Sequence, residues 1–348
     1  MVKGELADEK LLFSPQALRK LIVPLIFEQA LALSIGFIDT MMVAYAGEQA
    51  VSGVALVDSV NFLAINFFST VAAGGAIIVG QYLGKKESKM SKHAAKQLFL
   101  VVAFIATLVA VISLVFNRQI LRTLFGNVEA PVMDSAVTYF YVTAASFPFL
   151  GLFNVSASLL RVMGDSKKAM INALIMNVIN IVGNSVFIYI FKWGVLGAAL
   201  STLIARVISS FTMMYMLRNP KLPVFISSYN PRDIDFKMIK RILRIGIPNG
   251  LENSIFQIGK IIMTGLVATF NTASIAAHAV ANSLTGLEII PGAAMGLAIT
   301  TVVARCVGAG EYEQAKYYTR LLMKKAYLYI IVLNIPILFV LKPVLNFY

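Results

Sequence analysis

The 348-residue chain has one cysteine, one tryptophan and two histidines, and only 14% of its residues are charged. Cys306 alone cannot close an internal disulfide, and two histidines with one cysteine are too few for an ordinary His/Cys zinc site. The shortage of charge excludes more. A soluble domain is about 25% charged and about 45–50% apolar, whereas hydrophobic residues make up 58% of this chain and its mean hydropathy is +0.79. A water-soluble globule, a disordered chain and a disulfide scaffold all fall on that arithmetic. Acidic residues are also scarce, 17 against 30 Lys and Arg, for a net charge of +13. No nucleic-acid-binding motif accompanies the excess, so a nucleic-acid partner is not expected and membrane orientation explains the charge better. Catalytic motifs are absent: there is no nucleophile elbow, Walker loop or metalloprotease helix, and "GGAIIVG" reads as small residues for close helix packing. The chain is not expected to be an enzyme or to need a cofactor.

What is present is a series of long apolar runs. Nine are expected to cross a bilayer, at about 21–45, 54–83, 94–116, 137–159, 170–191, 195–217, 245–270, 274–307 and 321–341. They are continuously apolar rather than alternating with period two, which predicts an all-α polytopic membrane protein and not a barrel. Twenty-four of the thirty Lys and Arg fall in the amino-terminal segment and every second connection; Arg118, Arg122, Lys192 and Lys342 lie on the other side, and Arg206 and Lys260 inside runs. That bias places the amino terminus in the cytoplasm of a multi-pass protein of the cell membrane. The segment "MVKGELADEKLLFSPQ" is polar and the first run contains Pro24, Glu28 and Asp39, so a cleaved signal peptide is not expected.

An internal repeat organises the chain. At a shift of 224 residues "LIVPLIFE" lies over "IGIPNGLE", matching Pro24 with Pro248 and Glu28 with Glu252, and Gly84 and Glu87 match Gly308 and Glu311. Six runs per copy make the copies parallel, related by an axis along the membrane normal. The expected organisation is an amino-terminal lobe (1–217), a cytoplasmic linker with an interfacial amphipathic helix (218–244) and a partial second lobe (245–348). The second copy holds three runs where the first holds six, which reads as a fragment of a longer two-lobe protein.

An ionisable side chain at the centre of a bilayer costs about 2.5–3.5 kcal/mol on insertion scales, so each invites a functional reading. Glu28 and Asp39 are eleven residues apart on the first run, on nearly one face and roughly 16 Å apart along the axis. In a polar cavity such carboxylates bind a cation or exchange a proton. The alternative is that Glu28 snorkels and Asp39 sits at the outer interface. Asn177, Asn180 and Asn184 form an amide stripe on the fifth run, which either completes a cation site with Asp39, Na+ included, or glues helices together. Glu252, Asn253 and Gln257 on the seventh run, with Tyr139 on the fourth, are candidates for the wall of a substrate cavity. Asp58, Asn66, Tyr141 and Glu288 are weaker candidates, Lys260 reads as a structural partner of Glu252, and His278 as a packed residue.

Taken together, "GFIDTMMVAYAGEQAVSGVAL", "GGAIIVGQYLGKKE", "LLRVMGDSKKAMINALIMNVINIVGN", "GVLGAALST" and "RILRIGIPNGLENSIFQIGK" resemble the landmarks of the multidrug and toxic compound extrusion (MATE) family along the whole chain. The resemblance implies two six-helix lobes around a central cavity, of which this chain would hold one lobe and three helices of the other. It implies export of cationic or amphipathic small molecules, driven by inward flow of H+ or Na+. It gives Asp39 the role of the first-helix coupling acid and Asn180 and Asn184 that of its fifth-helix partners; position 184 is an aspartate in some relatives. Glu252 stands near the seventh-helix acid of the family. A flippase of lipid-linked saccharides with a related fold, and a non-transporting membrane fragment, are the competing readings. No oligomer is implied.

Overall fold

The computed structural model describes residues 11–345 except 127, 229–232 and 269–271; the side chains of 261, 264–265, 268, 272–284 and 337–345 lie outside that description, and with them His278. Every regular element among the described residues is helical: α1 (Pro15–Val43), α2 (Glu48–Gly84), α3 (Ser88–Val115), α4 (Asn117–Phe125), α5 (Ala130–Ala145), α6 (Phe147–Val162), α7 (Ser166–Asn184), α8 (Gly194–Leu217), α9 (Phe236–Ala268), α10 (Thr272–Gly308) and α11 (Tyr312–Leu345), with a short 3-10 turn (Ala44–Ala46) after α1 and a π-helical segment (Ser185–Ile190) continuing α7. Six of them are long and apolar enough to cross a membrane, and α5 with α6 makes a seventh if that bent pair is one span. The remaining two expected runs are occupied by α9 and α11, 33 and 34 residues long. Eleven helices do not by themselves support the expected absence of three. Below, the near end of the molecule is the one at which α1 begins, and the far end the one at which it finishes.

Local chemistry explains the boundaries. Ser14 caps α1 by accepting from the amide of Ala17 at 3.2 Å, with Pro15 in the first helical position where no donor is needed. The fourth run is not one helix: α5 and α6 meet at 48°. Ser146 sits at the break, its hydroxyl donating to the carbonyl of Thr143 at 2.6 Å, and Pro148 just beyond lacks the amide that would carry the ladder through. A nine-residue amphipathic helix, α4, forms in the connection after the third run.

The linker also departs from expectation. Its basic, amphipathic part is not a separate interfacial helix but the first turns of α9, which starts at Phe236 and continues into the apolar run. Asp235 caps that start, accepting from the amides of Lys237 (2.9 Å) and Met238 (3.1 Å). The stretch before it is tied to α3 by His93–Asp235 (3.0 Å), Lys96–Asp233 (2.6 Å) and two bonds of the Gln97 amide.

The repeat is visible as geometry. After α2, Lys86 and Glu87 donate to the carbonyls of Leu83 and Tyr82, with Lys86 at φ 61°; after α10, Gly310 and Glu311 donate to those of Val307 and Cys306, with Gly310 at φ 81°. These are the same left-handed helix-end turn, 224 residues apart. Just before it, the matched glycines Gly84 and Gly308 bring α2 and α10 into backbone contact: a Cβ on Gly84 would strike the carbonyl of Arg305, and one on Gly308 the carbonyl of Gln81.

Packing sorts by depth. Val57, Phe68, Phe140, Phe147, Ala198 and their neighbours form a core toward the far end. Toward the near end a second core joins α2, α3, α6 and α7 to Met238 and Ile242 of α9. A third packs Leu18, Leu21, Ile22 and Leu25 of α1 against Met295, Ala298 and Val302 of α10 and Tyr318 and Leu322 of α11. The chain ahead of α1 fastens this core: the Tyr318 hydroxyl donates to the carbonyl of Phe13 (2.8 Å) and accepts from its amide (3.0 Å), and the Arg305 guanidinium lies 5.0 Å over the Phe13 ring. The described contacts between the two copies are therefore concentrated toward the near end.

Candidate functional site

The helices α1 and α7 run alongside each other, which puts Asp39 near the far end of α1 beside the last residue of α7. Asn184 donates through Nδ2 to Asp39 Oδ1 at 2.6 Å and to Asn180 Oδ1 at 3.3 Å. Asn180 passes the chain on to α8, donating to Thr202 Oγ1 at 3.1 Å, while Ser201 Oγ donates to the Asn180 carbonyl at 2.6 Å. The four-residue spacing of Asn180 and Asn184 stacks them on one face of α7. Asn184 has no solvent exposure, and its Oδ1 has no hydrogen-bond partner. Asn177, three residues earlier, is used differently: it donates to the carbonyl of Leu31 at 3.0 Å and staples α7 to α1. The amide stripe is thus divided: its far end, Asn180 and Asn184, joins Asp39 to α8, while Asn177 joins two helix backbones.

A second carboxylate enters from α2. Asp58 accepts from Asn61 at 3.4 Å, and Tyr139, a buried residue of α5, lies close to it. Arg206 of α8, one turn after Thr202, donates from Nη1 to Ser146 Oγ at 2.7 Å and lies within electrostatic reach of Asp39, Asp58 and Tyr139. Five helix segments and the α5/α6 break thus bring together two carboxylates, one guanidinium, the amides of Asn180 and Asn184, and the hydroxyls of Tyr139, Ser146, Ser201 and Thr202. Asp39, Asn180 and Asn184 were legible in the sequence. Arg206 was missed, although a basic residue in the middle of an otherwise uncharged run is the signal that finds it.

Other candidates lie elsewhere. Glu28 does not join Asp39: it forms a buried, two-pronged ion pair with Arg161 of α6, through Oε1 and Nη2 and through Oε2 and Nε at 3.4 Å. Arg161, which reads in the sequence as a residue of a basic loop, is drawn into the protein by that carboxylate and also reaches Ser158 Oγ at 3.5 Å. The pair borders a cavity of about 20 Å3 between α2, α6 and α10, lined by Ser158, Arg161, Thr300 and Thr301 among others. That is space for one water.

Tyr139 is buried on α5, on the side of Asp58. On α9, Glu252 and Asn253 are exposed, Gln257 is half-buried, and Asn253 turns back to donate to the carbonyl of Asn249 at 3.1 Å. Lys260 stands 5.3 Å from the centre of the Phe256 ring. Among the described residues no group of three or more His, Cys, Asp or Glu side chains could hold a metal ion. Asp39 instead meets the amide nitrogen of Asn184, with the oxygens of Asn180 and Thr202 further along the same chain of hydrogen bonds.

Comparison with known proteins agrees with the fold. The family model MatE matches residues 24–186 and 248–348. A "Probable multidrug resistance protein YoeA" of Bacillus subtilis is 27% identical over 86% of the chain and 66% of its own length. A "Probable multidrug resistance protein NorM" of Thermotoga maritima is 24% identical over 90% of the chain and 68% of its own length. A crystal structure of MATE in the bent conformation superposes with a TM-score of 0.86 at 21% identity, over 95% of this chain and 73% of that one. The chain therefore spans about two thirds of the length of these curated relatives.

Proposed function

The chain belongs to the MatE family, whose members are membrane transporters and not enzymes, and from that premise we propose that it works as a cation-coupled antiporter exporting cationic or amphipathic compounds. On this reading the near end is cytoplasmic, residues 1–217 and 245–348 belong to two lobes, and a cavity between them opens alternately to either side. The coupling site is Asp39 with Asn180, Asn184, Thr202, Asp58 and Tyr139; Glu252 and Gln257 meet the substrate from α9.

One observation carries the proposal: a carboxylate inside the membrane region is held by a neutral amide at 2.6 Å rather than by an ion-pair partner. A carboxylate so held is free to take up an external cation and release it again, whereas one already paired, like Glu28, is not. The coupling ion is H+ or Na+; a proton needs only the carboxylate, and Na+ would draw on the oxygens of Asn180, Asn184 and Thr202. The test is dye export from vesicles containing the protein under separately imposed proton and sodium gradients. The gradient that drives export identifies the ion, and Asp39→Asn is expected to reduce driven export to that of empty vesicles. Undiminished export by Asp39→Asn would overturn the assignment.

A further inference from the structure

Arg206 poses a problem that the coupling site alone does not solve. It lies twelve residues into α8, roughly 18 Å from the far end of that helix, at a depth where a guanidinium is costly. Among the described residues its one direct hydrogen bond is to a neutral hydroxyl, Ser146 Oγ at 2.7 Å. Among the described residues no ion pair within 4 Å joins it to either nearby carboxylate, although Arg161 and Glu28 show that this fold can build such a pair. The titratable groups that act on it are Asp39 from α1, Asp58 from α2 and Tyr139 from α5; α7 faces it with the amides Asn180 and Asn184, and α6 adds no titratable group to that set. Ser146 is the residue at the α5/α6 break, so the bend places the hydroxyl that holds the guanidinium.

We propose that Arg206 is a tethered counter-cation that sets the charge of the coupling site: held on Ser146, it offsets one of the carboxylates Asp39 and Asp58, so that one monovalent cation is exchanged per cycle. A guanidinium stays protonated at any working pH, so the offset is permanent. Being held away from both carboxylates, it acts through space and leaves each free to bind a cation, which a fork-like ion pair would not. The inference rests on the antiporter reading for the word cycle, but the charge balance it describes exists whether or not the protein transports.

The experiment is a charge-rescue series in the complete chain, reconstituted in lipid nanodiscs and vesicles: Arg206→Gln, Arg206→Lys, Asp58→Asn, and Arg206→Gln with Asp58→Asn. Two quantities are read, the pH midpoint of carboxyl protonation from the infrared C=O band, and the number of cations exchanged per substrate. Removing the positive charge should move the midpoint to higher pH by about one unit and raise the exchange number toward two. Removing Asp58 should move the midpoint to lower pH and uncouple export. The double variant restores one net negative charge and should return both quantities toward those of the unaltered protein; Arg206→Lys should leave them nearly unchanged.

A merely structural arginine would give a double variant no better than either single one, and that result overturns the inference. So does an Arg206→Gln midpoint that coincides with the unaltered one. If Arg206→Gln does not fold, Asp58→Asn decides, since an unmoved midpoint there overturns the proposal equally. If no gradient drives export by the unaltered protein while the midpoints shift as described, the antiporter reading fails and the charge role of Arg206 stands.

Discussion

Two acids on one helix have opposite surroundings. Glu28, in the near half of α1, is gripped on both oxygens by Arg161 and packed within the near-end contact between the copies. Asp39, eleven residues on, touches an amide and feels a guanidinium only at a distance. On the proposed function the difference separates structure from function on one strip of sequence: a carboxylate whose charge is already matched holds helices together, while an under-matched one would be available to an outside ion. The repeat sharpens the contrast, because Glu252, matched to Glu28 in sequence, is exposed. The three-dimensional neighbour, not the position in the repeat, decides what the acid does.

The contrast is most easily broken at the buried pair. Glu28→Gln or Arg161→Met, each leaving one charge buried alone, is expected to cost about 3–5 kcal/mol of stability, while replacing both by apolar residues of similar volume is expected to be near neutral. Asp39→Asn keeps an amide-to-amide hydrogen bond available and should change stability by only about 1 kcal/mol while abolishing coupled export. Denaturant unfolding in detergent, set beside vesicle transport by the folded fraction, separates the two behaviours. An Asp39→Asn variant as unstable as Glu28→Gln would erase the distinction.

The next effect is expected at the near-end crossing. Gly308→Ala places a methyl against the backbone carbonyl of Gln81, which cannot swing aside as a side chain could. Helices α2 and α10 must separate, at a cost of about 1–3 kcal/mol for overpacking. Cross-linking between cysteines introduced at the near ends of α2 and α10, in a Cys306→Ser background, should fall in Gly308→Ala and not in Gly296→Ala, where the added Cβ meets nothing within 4 Å.

Much of this was readable from the sequence, for identifiable reasons. Long apolar runs specify helices regardless of their neighbours, so the helical class and the turns repeated after α2 and α10 could be anticipated. Asp39 and Asn184 could be matched because each stands out against an apolar background. The α5/α6 break was hidden because Ser146 and Pro148 are ordinary in a membrane run until a hydroxyl takes the carbonyl of Thr143. Arg161 and Arg206 were sorted by segment, one to a loop and one to an exception, since neither sequence position nor spacing reveals that their partners stand on α1, α2 and α5. The linker was misjudged at its helical part, because amphipathic character does not tell a separate surface helix from the first turns of a spanning one.

The smallest expected effect lies in that linker, outside the membrane region. Asp235 has its carboxyl held below the usual range, first by the amide of Met238 and then by the His93 ring, and Asp233 is held low by Lys96. A carboxylate whose value is depressed in the folded state stabilises fully above its ordinary value of about 3.9 and loses that contribution as pH falls through the folded value. At neutral pH the anchor on α3 is therefore complete, and acid releases it. Asp233 is exposed and Asp235 half-buried at the surface, and their ion pairs are screened, so the global stability should barely move. The sensitive observable is hydrogen exchange at the amides of Lys237 and Met238, which donate to Asp235. Protection there, corrected for intrinsic rates, should fall below about pH 4 in the unaltered protein and persist at partial strength in Asp235→Asn, whose side-chain oxygen still accepts but does not titrate. Equal acid sensitivity in both proteins would show that the anchor titrates through some other group.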